Sequence, residues 1–196
     1  MQAWLGAEPI NFVKATAAAD RIISESTRAG EVLRRVRSLF SKSDYVREMT
    51  NLNELIVDIA RMLRDDAIRR GVSIKLRLDE TLPMINLDPV QIQQVLLNLI
   101  INGMESMATV EKPKVLEISS ALSGADEIAI AVSDSGSGFS DQDRKRLFEP
   151  FFTTKPEGTG IGLAICRSII EAHDGRIWGA CSERGSVFQF VLKANQ

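Results

Sequence analysis

Between residues 11 and 40, apolar side chains recur at steps of three and four: Ile22, Ile23, Ala29, Val32, Leu33, Val36, Leu39 and Phe40. Arginines and glutamates fill the other positions. That period predicts one long amphipathic helix. Thirty helical residues would span roughly 45 Å at about 1.5 Å each. A rod of that length cannot bury its stripe alone, so it asks for a helical partner, in the same chain or another. Met1–Leu5 reads as the tail of an earlier helix, broken at Gly6–Pro9, so the chain is expected to open partway through a helical hairpin.

The pattern changes after a polar stretch at 41–50 that reads as a linker. A helix is expected over about 52–70, stopped by Gly71. Val72, Ile74, Leu76 and Leu78 then alternate with polar residues, as in a half-buried strand. Asp88-Pro89 opens the next helix, since Asp can cap the free amides and Pro suits the first turn. That helix should run to about Met107. Strands are expected near 114–121 and 127–133, a glycine-containing loop over 134–160 and a helix at 161–173. Two closing strands fall near 176–181 and 186–192. The order predicts an α+β fold, a two-layer α/β sandwich with a mixed sheet on one side and helices on the other.

Composition narrows the classes. Of 196 residues, 44% are hydrophobic and 26% charged, so a core can form. The net charge of −2 lacks the positive footprint of a general nucleic-acid binder. No apolar run approaches the roughly 20 residues of a membrane span, and no signal peptide is visible at Met1. Cys166 and Cys181 lie in a helix pattern and a strand pattern without metal-site spacing, and are expected to be small buried hydrophobes. The expected setting is cytoplasmic and reducing, with no membrane contact by this chain. There is a single histidine, His173.

Three constellations carry candidate chemistry. In QVLLNLIINGMESM, Asn98 and Asn102 share one helix face at i and i+4. Two amides in so apolar a segment need partners, or cost on the order of a few kcal/mol. They could bond a neighbouring loop, or form a polar seam whose oxygens hold Mg²⁺ beside a triphosphate. In Asp134-Ser135-Gly136-Ser137-Gly138, the parity of Ile128, Ile130 and Val132 turns Asp134 inward. An ordinary Asp-Gly turn is one reading. The other is a carboxylate awaiting a donor such as an adenine amine, with glycines letting the backbone approach a flat ring. In Gly158-Thr159-Gly160-Ile161-Gly162-Leu163, glycine-spaced amides open a helix and form a natural anion site. It is neither a Walker A loop nor a Rossmann turn. Lys155 is either a solvated loop lysine or a cation within reach of a terminal phosphate. Between the last two lies FEPFFTTK, with three aromatics in five residues, expected to pack a flap on the core.

In this order and spacing the elements resemble the ATP-binding domain of sensor histidine kinases, of the wider group that includes Hsp90, gyrase and MutL. NLIINGMESM resembles the N box, DSGSGF the first glycine box, FEPFFTTK the F box and GTGIGLAIC the second glycine box. SIIEAHDGRIWG and GSVFQFVL resemble the closing segment. The likeness covers about residues 50–192, and the short loop between the glycine boxes is most similar to nitrogen-regulation and oxygen-sensor kinases. RAGEVLRRVRSLF is similar to the second helix of their dimerisation hairpin.

The resemblance implies residues 50–194 as an ATP-binding catalytic domain, and 1–45 as a truncated dimerisation hairpin lacking the acceptor histidine. It implies Asn102 as the Mg²⁺ ligand with Asn98 beside it, Asp134 on the adenine amine, and Gly136 and Gly138 lining the adenine pocket. Lys155, Gly158, Thr159, Gly160, Gly162 and Leu163 would supply lid and phosphate contacts. ATP and ADP, a response regulator receiver domain and a second copy of the chain are the implied partners, and the full protein could be membrane-anchored. The acceptor box is expected ahead of Met1. His173, at a helix C-terminus, is expected to be structural. Asp174 stands where the family pattern has Gly. Val187 stands where relatives often have threonine near the adenine.

Two other classes compete. ATPases of the wider group use a glutamate one turn before the metal-binding asparagine, and here that place is Asn98, which cannot act as a base. A non-catalytic nucleotide-binding or docking module is the remaining alternative.

Overall fold

The computed structural model describes residues 16–19, 46–124, 126–155, 158–182 and 185–194. The chain divides into two compact units, 1–41 and 42–196. In the first, residues 16–19 are helical, inside the span expected for the long helix; the rest of that expectation lies outside the described residues.

The second unit follows the predicted order. Strand β1 covers Glu48–Thr50, helix α1 Leu52–Met62, helix α2 Arg64–Arg69, strand β2 Val72–Arg77, and strand β3 Ile85–Leu87. Helix α3 covers Pro89–Ser106, strand β4 Lys114–Ser123, strand β5 Glu127–Asp134, and the short helix α4 Asp141–Arg144. Helix α5 covers Gly162–Ala172, strand β6 Arg176–Ser182 and strand β7 Gly185–Lys193. The main sheet has the order β2-β4-β5-β7-β6. Strand β2 runs parallel to β4 and the other neighbours are antiparallel, so the sheet is mixed.

Local chemistry explains the boundaries. The Asn51 side chain accepts from Asn53 N–H at 3.0 Å and Glu54 N–H at 3.3 Å, starting α1. Asp88 accepts from Val90 and Gln91 at 3.0 and 3.1 Å, and Pro89 fills the first turn of α3. Gly71, at φ +68°, ends α2 as expected. The helix predicted over 52–70 is two helices, broken at Leu63 (φ −89°, ψ 1°). Nothing at that position in the sequence marks the break. Two further elements depart from expectation. The 41–50 linker ends in β1, which pairs antiparallel with β3, and the 134–160 loop contains α4. Strands of three residues are too short for alternation to announce them.

The helices pack on one face of the sheet. Ile92, Val95, Leu96, Leu99, Ile100 and Met104 of α3 are fully buried, against β4, β5, α1 and α5. Leu116, Ile118, Ile128, Ile130 and Phe190 meet them from the sheet, each 0% exposed. Burying such side chains contributes roughly 1.5–3 kcal/mol each, which fixes α3 as the central helix. Every polar residue on α3 is therefore held at a defined depth.

Candidate functional site

The apolar parity of β5 carries Asp134 inward, as the sequence predicts. Its side chain is 6% exposed. Oδ1 accepts from the Ser106 hydroxyl at 2.7 Å and from the Gly136 N–H at 2.8 Å. Oδ2 accepts from the Ser186 hydroxyl at 2.5 Å. Three donors thus hold the carboxylate, and Oδ2, with one of them, keeps capacity for another. Its surroundings depend on close approach. A Cβ on Gly136 would stand 2.6 Å from Asp134 Oδ1, and one on Gly185 would stand 2.8 Å from the Gly136 nitrogen. Gly138 takes φ +70°, and a Cβ there would meet Cys181 Sγ at 3.2 Å. Any larger residue would close this end of the site.

Ser106 and Ser186 were absent from the sequence expectations, yet both had a signal. Ser106 continues the i, i+4 series of Asn98 and Asn102 on α3. Ser186 shares the inward parity of Phe188 and Phe190 on β7. Next to Val187, the Ser186 hydroxyl donates to Asp134 Oδ2.

On α3, Asn98 faces the second glycine segment and Asn102 faces Lys155. Asn98 Nδ2 donates to Gly162 O at 3.4 Å, and a Cβ on Gly162 would lie 3.9 Å from Asn98 Cγ. The two boxes, 64 residues apart in sequence, thus meet at the start of α5. No side chain caps α5, whose N-cap is Ile161, so its first-turn amides carry the positive end of the helix without a side-chain acceptor. Gly160, at φ +65°, passes close to the backbone of Phe151, whose N–H donates to Gly160 O at 2.9 Å. Gly158 lies against Thr153, while Thr159 and Leu163 are half-buried.

Lys155 is part-exposed and folds back onto α3. Its Nζ donates to Glu105 Oε2 at 2.7 Å and reaches Asn102 O and Oδ1 at 3.4 and 3.5 Å. The F-box aromatics divide. Phe148 is buried with its ring edge on Phe188, and the Arg167 guanidinium lies 4.6 Å from its centroid. Phe152 is covered by Arg146 at 4.5 Å. Phe151, by contrast, is 68% exposed at φ +67°, so the core packing expected of all three is seen for Phe148, while Phe152 is half-buried.

His173 is structural in its geometry. Nδ1 lies 2.8 Å from Ile169 O and Nε2 accepts from Asp88 N–H at 3.1 Å, which fixes the neutral tautomer with its proton on Nδ1. The ring is 3% exposed and ties the end of α5 to the start of α3. Asp174 adopts φ +53°, the left-handed turn that glycine favours. The cysteines separate. Cys166 is buried, and burial pushes its thiol up to about 12. Cys181 is exposed, which corrects the expectation of a buried residue. Its Sγ accepts from Phe139 N–H at 3.1 Å and lies 3.0 Å from Phe139 O, because β6 is an edge strand running past the first glycine box.

The donor set fits a nucleotide better than a protein-only metal cage. Among the described residues no three His, Cys, Asp or Glu side chains converge to hold a metal ion. The amide oxygens of Asn98 and Asn102 are hard donors too few to complete a shell, which suits a small divalent cation that shares phosphate oxygens and water. A buried carboxylate at one end, and a helix N-terminus with a lysine at the other, define a site for a base joined to an anionic tail.

That combination of fold and site is the nucleotide-binding sandwich. The family of histidine kinase-, DNA gyrase B- and HSP90-like ATPases matches residues 87–196, and the chain belongs to it. The chain is similar to sensor protein TdiS of Thauera aromatica, at 43% identity over 87% of this chain and 32% of that protein. It is 37% identical to sensor protein FixL of Bradyrhizobium diazoefficiens over 96% of this chain and 37% of that protein. The chain thus spans about a third of the length of these relatives. Among solved structures, the catalytic domain of histidine kinase ThkA superposes with a TM-score of 0.69 at 32% identity, covering 76% of this chain and 95% of that one. ThkA in complex with the response regulator protein TrrA gives 0.75 at 28% identity, over 90% of this chain and 50% of that one. The chain therefore contains an ATP-binding catalytic domain of the histidine-kinase type. No helix among the described residues is long and apolar enough to cross a membrane.

Proposed function

We propose that this domain binds Mg²⁺·ATP between α3 and the two glycine segments and presents the γ-phosphate to a histidine outside this chain, for relay to an aspartate of a response regulator. The observation that carries the reading is Asp134, a buried carboxylate fixed by Ser106, Ser186 and Gly136, with capacity left on Oδ2. An adenine amine satisfies that acceptor, and Gly136 and Gly138 make room for the ring. Asn102 is the proposed metal ligand, with Asn98 beside it. Lys155, Gly158, Thr159, Gly160, Gly162 and Leu163 form the lid and phosphate contacts, with α5 aimed at the anionic tail. The cation, when bound, neutralises charge on the phosphates. The protein's part is positioning and electrostatic stabilisation, since an imidazole nucleophile needs no strong base.

The acceptor is not His173. Both of its nitrogens are engaged and its ring is buried beside α3. Hydrolysis is disfavoured because the position of a water-activating base is Asn98, an amide already bonded to Gly162. Residues 1–45 are proposed as part of the dimerisation hairpin, pairing with a second copy and docking the regulator, in a cytoplasmic setting. The named ThkA–TrrA complex supports that partner class.

Incubation of the chain with radiolabelled ATP tests the transfer. Acid-labile phosphate should appear only when a helix bearing a phospho-accepting histidine is supplied in trans. Phosphohistidine at His173 would contradict the reading.

A further inference from the structure

Glu105 lies within the N-box segment NLIINGMESM but has no role among the expectations above, yet it sits where the site's charges meet. It follows Asn98 and Asn102 on α3 at steps of four and three, so the three side chains line one helix face. Glu105 Oε2 accepts from Lys155 Nζ at 2.7 Å, the shortest contact the lysine makes. The same ammonium lies 3.5 Å from Asn102 Oδ1. The two side chains are 41% and 35% exposed, so solvent screens the pair and leaves it weak enough to open.

We propose that Glu105 is a positioning residue, acting through Lys155: in the nucleotide-free protein it docks the lysine over Asn102, and the pair must open before a magnesium-bound triphosphate can be seated. The inference rests on the nucleotide reading of the site above. Asn102 Oδ1 is the oxygen that would hold a divalent cation. An ammonium held at 3.5 Å from the same oxygen repels it. Lys155 would therefore have to leave Asn102 for a cation to be held there, and Glu105 would set how often it is free to do so. Apparent affinity is lowered by the fraction of molecules in which the pair is closed.

The test is a double-mutant cycle on the intact chain, with nucleotide affinity measured by calorimetry in low salt. Glu105→Gln keeps the shape and removes the charge. It should tighten Mg²⁺·ATP binding about threefold, as expected when a mostly closed pair is opened. In a Lys155→Met background the same substitution should change affinity by less. Equal tightening in both backgrounds would mean that Glu105 merely repels phosphate, and overturns the proposal. Weaker binding in Glu105→Gln also overturns it. A second readout needs no nucleotide: lysine methylation followed by mass spectrometry should find Lys155 shielded in the parent chain and reactive in Glu105→Gln. Equal reactivity sinks the docked state. Failure of the parent chain to bind any nucleotide would defeat the underlying site reading instead, whereas normal binding with a flat cycle defeats this inference alone.

Discussion

The two ends of the site are built differently. At the Asp134 end, a buried carboxylate accepts three hydrogen bonds of 2.5–2.8 Å from three separate elements: α3, β7 and the loop after β5. At the Lys155 end, the contacts to Asn102 and between Asn98 and Gly162 are 3.4–3.5 Å, and the one short bond joins two part-exposed side chains. Under the proposed function, the first arrangement would receive the base on closely bonded structure, and the second would handle the phosphates with groups that can move without disturbing the core.

The largest expected effect lies at the rigid end. Asp134→Ala removes the acceptor and leaves the Ser106 and Ser186 hydroxyls without their partner, so ATP affinity should fall about 100-fold, or roughly 2.8 kcal/mol. Retained affinity would show that the buried carboxylate is structural only. Ser186→Ala sharpens the contrast, since it removes one donor and keeps the carboxylate. A loss of about 1 kcal/mol in binding is expected, and Ser106→Ala should match it if the two hydroxyls share the work. At the other end, Lys155→Met should weaken ATP more than ADP, because only the terminal phosphate is within the proposed reach of the lysine. Equal losses for both nucleotides would remove the distinction between the two ends.

A control comes from the far end of α3. Burial holds the His173 pKa below its ordinary value, despite the Ile169 carbonyl, which favours the charged ring. The unfolded chain takes up a proton that the folded chain resists, so this contribution to stability is full above about pH 6.5 and declines as pH falls below it. Denaturant melts from pH 8 to 5 should show the decline, and His173→Gln should flatten it.

The long elements were legible in the sequence because burial enforces their periods. α3, α5 and strands β4 to β7 lie within one or two residues of their expected bounds, and Asp134 faced inward by parity alone. The break at Leu63 left no mark, since no proline or glycine produces it. Strands β1 and β3 are pairing partners of three residues, specified by each other rather than by their own patterns. The hydroxyls around Asp134 were overlooked because serine is common and cheap to expose. Only the depth of α3 and β7 makes Ser106 and Ser186 significant. Glu105 was visible as a residue on the right helix, but its pairing with Lys155 joins positions 50 residues apart and required the fold.

The most direct test of the account is calorimetric titration of ATP and ADP into the intact chain, with Mg²⁺ and with EDTA, beside the Asp134→Ala variant. The account predicts micromolar binding that depends on Mg²⁺ and is lost in the variant. Binding unaffected by Asp134→Ala, or no binding by a folded parent chain, would contradict it and favour a docking module that keeps the fold without the ligand.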